Sequence, residues 1–211
     1  VLVVTPHVFA GGAEKAILNL VYRLNSMDCD VSIATLSVDL SKLPSTFRGL
    51  KFILPKRPID QPVMNSVGSV LRSMFGELLS FVVLLRKCSS GFDLVCACNF
   101  PSYWATYFAG VHKPVVWLAS EVLAPYNQTR DVYDKSPLFR FALSLATAFD
   151  KRIVNSGLAP IITCSKFNSR LLKERYGRDS LALLTGVDFD FFNREVVGAK
   201  SLLGLGEGVL R

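Results

Sequence analysis

Short, nearly uninterrupted apolar runs alternate in this chain with longer stretches of helical period, and that rhythm leaves few folds open. The runs fall at residues 1–4, 31–35, 51–54, 94–98, 115–118, 161–164 and 181–184. A strand with one wet face alternates apolar and polar residues, whereas a run that is apolar at almost every position suits a strand covered on both faces. Helical patterns separate the runs. After Glu14, for example, Ile17, Leu20, Val21 and Leu24 recur on one helical stripe. Repeated strand–helix–strand units predict an α/β fold: a doubly wound, mostly parallel Rossmann-like sheet with helices on both faces.

Local signals place the helix ends. Ser102 is positioned to cap a short aromatic helix that stops near Gly110. Ser136 followed by Pro137 predicts a helix start, with Leu138, Phe141, Ala142, Leu145 and Phe149 continuing one face. Ser165 caps a helix running to Tyr176, and Gly177 ends it. The longest helical pattern covers 63–87, with Val67, Val70, Leu71, Met74, Phe75, Leu78, Leu79 and Val82 as its core stripe. Ser66, Ser69, Arg72, Ser73, Gly76, Glu77 and Ser80 form the opposite face. It reads as a crossover helix packed on the sheet; contact with a membrane or lipid acceptor is the alternative, weakened by a polar face poor in Lys and Arg. Residues 1–195 form one domain, and 196–211, with Gly204, Gly206 and Gly208, read as an exit segment towards a further, carboxyl-terminal domain.

Composition narrows the function classes. Half of the 211 residues are hydrophobic and 19% are charged, which fits a globular domain with a buried core. The formal net charge of +7 favours anionic partners: nucleotide phosphates, phosphorylated lipids or an anionic membrane surface. The basic residues are dispersed and accompany no nucleic-acid-binding motif, so no nucleic-acid partner is expected. Cys29, Cys88, Cys96, Cys98 and Cys164 are odd in number, and Cys96 and Cys98 share one strand face, where they cannot easily bridge. Free thiols of a reducing compartment are the expectation. His7 and His112 are far apart in sequence, which argues against a zinc site. No apolar run reaches the ~18 residues that suggest a membrane-spanning helix. The opening Val1-Leu2-Val3-Val4 reads as a trimmed strand, not a signal peptide. A cytoplasmic protein follows from these readings, peripheral to the cytoplasmic face of a membrane if it meets one.

The loop after the first strand, Thr5-Pro6-His7-Val8-Phe9-Ala10-Gly11-Gly12, leads into the helix at Glu14. In open parallel sheets, ligands sit at the carboxyl ends of strands where strand order reverses. Paired glycines let a ligand approach the backbone, and free amides at a helix start favour an anion. The same pair also makes an ordinary tight turn. The Gly-x-Gly-x-x-Gly spacing of a nicotinamide site is absent. His7 is placed to reach this loop's ligand, or equally to serve as a hydrogen-bonded structural residue.

Three stretches together resemble the amino-terminal domain of family-4 glycosyltransferases, which have the GT-B fold. They are Gly11-Gly12-Ala13-Glu14 with its helix; Lys113-Pro114-Val115-Val116-Trp117; and Thr163-Cys164-Ser165-Lys166-Phe167 followed by Tyr176-Gly177-Arg178 and Gly186-Val187-Asp188. The resemblance implies the acceptor-binding half of a retaining enzyme that moves a sugar from a nucleotide sugar to an acceptor hydroxyl, in glycan or glycolipid synthesis. It implies a nucleotide-sugar donor held mainly by the carboxyl-terminal domain, a sugar or lipid-linked acceptor, no cofactor and no obligatory metal. Gly11 and Gly12 would lie against the donor phosphate or sugar. His7, Asn99, Ser120 and Glu121 would face the acceptor, with Ser120 and Glu121 as the candidate catalytic pair.

Two departures stand out. Many members carry a histidine where this chain has Ser120, in Trp117-Leu118-Ala119-Ser120-Glu121. A serine can donate a hydrogen bond to the reacting sugar but is no general base near neutral pH without an activating partner. Thr185 replaces a proline common before Gly-Val-Asp. Among other candidates, Tyr103, Trp104, Tyr107 and Phe108 form either a sugar-stacking patch or core. Lys166, Arg170, Lys173, Arg175 and Arg178 either attract an anionic acceptor or make an ordinary solvated face. Two rival functions remain: a stand-alone non-catalytic module pairing with a separate donor-binding subunit, and an unrelated nucleotide-binding domain of similar topology.

Overall fold

The computed structural model describes residues 1–9, 11–56, 67–120, 137–158, 160–184 and 186; at 67–74, 137–140, 142 and 143 it describes backbone only. The expected exit segment at 196–211, Glu121 and Asp188 lie outside the described residues.

Seven strands form one wholly parallel sheet: β1 (Leu2–Val4), β3 (Ser32–Ala34), β5 (Lys51–Ile53), β6 (Val95–Cys98), β7 (Val115–Ala119), β8 (Ile161–Thr163) and β9 (Leu181–Ala182). Their order is β5-β3-β1-β6-β7-β8-β9, with every pairing parallel. The chain therefore builds outwards from β1 to β5, crosses back, and builds outwards again from β6. A short parallel ribbon, β2 (His7–Val8) with β4 (Ser37–Val38), extends the ends of β1 and β3.

Among the described residues, five α-helices flank the sheet: α1 (Gly12–Asn25), α2 (Val67–Cys88), α3 (Ser102–Ala109), α4 (Pro137–Asn155) and α5 (Lys166–Tyr176). Strand residues facing opposite sides divide the core in two, as the period of 2 requires. Val3 and Ile33 pack with Ile17, Leu18 and Val21 of α1. Leu2, Val4, Ala97 and Trp117 pack with Phe81 and Leu85 of α2, Tyr103 of α3, Ile153 of α4 and Leu172 of α5. The helices thus lie on both faces, one on the first and four on the second, and the doubly wound expectation holds.

Capping chemistry was readable where it was local. Ser165 is the N-cap of α5 and its Oγ accepts from the Asn168 amide at 3.1 Å. Gly110 and Gly177 end α3 and α5 in the left-handed conformation, at φ 66° and 70°, which costs glycine little. Ser102 differs from expectation: Pro101 is the N-cap, Ser102 is the first helical residue, and its buried hydroxyl caps nothing.

The face of α2 differs in part. Phe75 and Leu79 are expected on the core stripe and Glu77 on the solvent face; Phe75 and Leu79 are exposed and Glu77 is buried. Leu78 and Val82 of the expected stripe do pack on the core, joined by Phe81, Leu84 and Leu85, so the buried stripe is rotated in the carboxyl-terminal half. On α4, Phe141, Leu145 and Phe149 are exposed, because Asp150, Ile153 and Val154 occupy the inward face. All five cysteines are free, and the Cys96 and Cys98 thiols on β6 approach to 3.9 Å. No described helix is long and apolar enough to cross a membrane.

Candidate functional site

The strand order reverses between β1 and β6, so the loops leaving their carboxyl ends diverge to opposite faces and open a crevice. Register sets the neighbouring ends side by side: Val4 pairs with Ala97, Ala97 with Trp117 and Cys98 with Leu118. At about 4.8 Å per strand, β1 and β7 end roughly 10 Å apart. Three predicted site segments leave this one edge: Gly11-Gly12 after β1, Asn99 after β6 and Ser120 after β7.

The β1 loop is pinned early and free late. Pro6 O accepts from the Leu36 amide at 2.9 Å and from Thr35 Oγ1 at 3.0 Å, while Val8 O accepts from the Asp39 amide at 3.2 Å. Gly11 is the extended N-cap of α1, with φ −75° and ψ 165°. The Glu14 carboxylate lies over it, so a Cβ at Gly11 would collide with that side chain. Gly12 is different. A Cβ there would meet nothing within 4 Å. Both glycines are exposed at the positive end of a 14-residue helix.

His7 is placed lower in the same loop and is engaged by protein. Its Nδ1 shares a 2.8 Å hydrogen bond with Ser37 Oγ, and its buried Nε2, which has no hydrogen-bond partner among the described residues, lies 3.7 Å from Glu77 Oε1. The ring stacks on Phe9 with centroids 5.6 Å apart. These contacts link the β2–β4 ribbon to α2 and fit the structural alternative that the sequence offered for His7, beside contact with a ligand. Ser37 and Glu77 carried no signal of it, because they are 30 and 70 residues from His7 in sequence.

Asn99 adopts φ 60°, a left-handed conformation that asparagine tolerates better than most residues. Its carbonyl accepts from the Ser102 amide at 3.1 Å and so shapes the entry to α3. Its side-chain Oδ1 is buried without a hydrogen-bond partner among the described residues. An orphaned buried acceptor costs about 1–3 kcal/mol, and such exceptions call for an explanation.

Ser120 is half-buried, and its backbone is held from the next strand's loop. Ser120 O accepts from Asn168 Nδ2 at 2.8 Å and from Cys164 Sγ at 3.6 Å. Asn168 also donates to Cys164 Sγ at 3.3 Å, while its amide is capped by Ser165. The Thr163-Cys164-Ser165-Lys166-Phe167-Asn168 stretch thereby fixes the end of β7. Thr163, Cys164 and Ser165 were singled out from sequence; the stitching by Asn168 was not.

Behind these loops sits a buried hub that sequence reasoning missed. Asp150 of α4 is fully buried and accepts from Tyr103 Oη at 2.7 Å, Trp104 Nε1 at 2.9 Å, Tyr176 Oη at 2.6 Å and Arg175 Nη2 at 3.3 Å. Burial, then the adjoining Asp150 carboxylate, push the Tyr176 phenol well above its ordinary value. Tyr103 stacks on Trp117 at 4.5 Å, and Trp117 meets Tyr176 edge-on at 6.0 Å. Tyr103 is therefore core; Tyr107 and Phe108 are exposed. The late basic cluster is largely consumed within the fold. Lys173 pairs with Asp179, Arg175 with Asp150, and Arg178 donates to Val154 O and Leu158 O at 2.9 and 2.8 Å.

A shallow cleft of about 180 Å³ opens at the opposite edge, between the end of α3, the start of β7 and the end of α4. It lies at the amino-terminal end of β7, away from the glycine loop and the strand-order reversal.

No protein-family model and no curated protein matches the chain. Solved structures do. Sucrose-phosphate synthase from Thermosynechococcus elongatus superposes with a TM-score of 0.68 at 15% identity, over 97% of this chain and 52% of its own. Anabaena Alr3699/HepE, in complex with UDP and glucose, gives 0.62 at 14% identity, over 96% and 50%. WaaG, a glycosyltransferase involved in lipopolysaccharide biosynthesis, gives 0.61 at 14% identity, over 98% and 52%. At such identities the likeness establishes the fold, a Rossmann-like domain of the kind found in GT-B glycosyltransferases. The chain spans about half the length of these structures.

Proposed function

We propose that this chain is the acceptor-side wall of a retaining nucleotide-sugar glycosyltransferase, holding an acceptor hydroxyl beside the anomeric carbon of a sugar that departs from a nucleoside diphosphate. One observation carries the reading. At the strand-order reversal, an exposed glycine pair with open space at Gly12 shares an edge with Asn99, whose buried amide oxygen has no partner among the described residues. A glycine pair alone is a turn, and an orphan acceptor alone is a local cost. Together, on a fold shared with glycosyltransferases, they suit a ligand that brings both negative charge and hydroxyl donors.

The roles follow from chemistry. The first amides of α1 have no intrahelical acceptor and sit at the positive end of the helix, so they suit phosphate oxygen or a sugar hydroxyl. Asn99 Oδ1 accepts from an acceptor hydroxyl. Ser120 donates one hydrogen bond to the reacting sugar, and Glu121, next in sequence, is the candidate carboxylate. Retention requires the acceptor hydroxyl on the face that the diphosphate leaves, and the rate comes from positioning and from stabilising the departing charge. This reading, which rests on the family-4 resemblance, assigns most of that stabilisation to a facing donor-binding domain and treats the nucleotide sugar as substrate.

Uridine diphosphate sugars are the first donors to test, because the Alr3699/HepE neighbour holds UDP and UDP-glucose. The protein expressed from its whole gene and the 211-residue chain are each supplied with nucleotide sugars and sugar or lipid-linked acceptors, and nucleoside diphosphate release is followed. Acceptor-dependent release by the whole-gene protein and none by the chain alone is the expected result. Release from no donor, or robust transfer by the chain alone, would refute the assignment.

A further inference from the structure

Glu14 is the third residue of α1, and its side chain folds back over the helix start. Both carboxylate oxygens lie within 3.5 Å of the point where a Cβ of Gly11 would stand. An acid three residues after the N-cap is placed to reach the free amides of its own helix. Glu14 is half-buried, while Gly11 and Gly12 are exposed. A ligand resting on the glycine pair therefore meets a carboxylate. A helix amino terminus carries the equivalent of about +0.5 elementary charge. One carboxylate brings a full negative charge to the same turn, so the local balance is negative. Lys15 follows at the next helical position, about 100° further round the axis. The amides alone would attract phosphate; with Glu14 over them, a second anion is repelled.

The neighbouring loop points the same way on separate grounds. β6 pairs with β1, and Asn99 is the residue that follows β6. Its buried Oδ1 has no hydrogen-bond partner among the described residues. A carboxylate and an amide oxygen are both acceptors. Ionised phosphate offers only acceptors and satisfies neither. Hydroxyl groups donate, and can satisfy both. Over Gly12, where a Cβ would meet nothing within 4 Å, there is room for the body of a ring.

We propose that Glu14 is a specificity-determining residue: its carboxylate accepts from a hydroxyl of an uncharged sugar ring seated over Gly12, and its charge keeps the diphosphate off the first amides of α1. The inference rests on the sugar-transfer reading and decides what that reading left open, hydroxyl against phosphate at the start of α1. The diphosphate then lies beyond the glycine pair, towards the facing domain.

The charge is tested without turnover. The isotope-labelled chain is titrated with inorganic pyrophosphate, and the amide resonances of Gly12 and Ala13 are followed. At low ionic strength, where exposed charges are least screened, wild type should show no saturable shift up to about 10 mM. Glu14→Gln keeps the reach of the side chain without its charge, and should bind pyrophosphate at least about tenfold more tightly. Gly11→Ala is compatible with φ −75° and pushes the carboxylate aside. It should move affinity in the same direction, and it keeps the test intact if the first variant fails to fold. Saturable binding by wild type as tight as by Glu14→Gln, or no binding by either variant, overturns the proposal. The hydroxyl is tested in the whole-gene protein with donors and acceptors that each lack one hydroxyl. One analogue should lose about tenfold or more in kcat/KM with wild type and nothing further with Glu14→Ala. A deoxy donor behaving so assigns the ring to the donor, a deoxy acceptor to the acceptor. Transfer by wild type with no analogue coupled to Glu14 overturns the hydroxyl role and leaves the transferase reading standing. Transfer from no donor defeats that reading instead, and the pyrophosphate titration still decides the role of the charge.

Discussion

Replacing Asp150 by alanine should be the most destabilising single change in the described core. The side chain is fully buried and is the common acceptor of two phenols, an indole and a guanidinium at 2.6–3.3 Å. Truncation leaves those donors buried while Arg175, only 15% exposed at its side chain, loses its counter-charge. Breaking a buried pair in this way costs about 3–5 kcal/mol. That is a large share of the roughly 5–15 kcal/mol that holds a domain folded. At about 2–4 °C per kcal/mol for a chain of this size, the melting temperature should fall by roughly 6–20 °C. Asp150→Asn should cost less, about 1–3 kcal/mol, since one oxygen still serves Tyr103 and Trp104 while the amide opposes Arg175. Tyr103 and Trp104 are in the first turn of α3, directly after the Asn99 loop, so amide exchange at 102–105 should quicken in both variants. Urea and thermal unfolding with hydrogen exchange test this. An alanine variant within about 1 kcal/mol of wild type would refute the hub, since surface changes alone give effects that small.

Two further outcomes follow from the same packing. The Tyr176 phenol binds its proton more tightly in the fold than in the unfolded chain. Its contribution is therefore complete below pH ~10 and drains away as pH rises above that value, by at most about 1.4 kcal/mol per pH unit. Tyr176→Phe should flatten the alkaline fall in stability between pH 9 and 11 on the order of that slope; parallel curves for the two proteins would contradict it. Ser165→Ala should cost about 1 kcal/mol through loss of the α5 cap, and Asn168→Ala a similar amount by releasing Ser120 O. Chemical denaturation measures both, and a neutral Asn168→Ala would mean that the end of β7 is held by something else.

The sheet was legible because its evidence is repetitive: runs such as Leu94-Val95-Cys96-Ala97-Cys98 are apolar throughout, and only a strand covered twice tolerates that. Ser165, Gly110 and Gly177 were legible because a cap is decided within four residues. The faces of α2 and α4 were not, since a helix with two apolar stripes looks the same in sequence whichever one turns inward. Phe75 and Leu79 were assigned to the core stripe for that reason. Asp150 could have been found. It stands three and four residues before Ile153 and Val154, and an acid on a buried stripe needs donors. Which donors was hidden, because Tyr103 and Trp104 precede it by 47 and 46 residues. Gly11 and Gly12 looked equivalent in sequence, yet the Glu14 carboxylate covers one and leaves the other open.

That difference gives the most direct test of the crevice. Gly12→Ala introduces a Cβ that meets nothing within 4 Å in the fold, so the melting temperature of the whole-gene protein should stay within about 3 °C of wild type, a change of about 1 kcal/mol. If the space above Gly12 belongs to the donor phosphate or sugar, nucleoside diphosphate release should fall by about 100-fold or more, the order expected when a reacting group is displaced by an ångström. A stable variant that turns over like wild type would show that nothing binds there, and the account of this edge as a sugar-transfer site would fail.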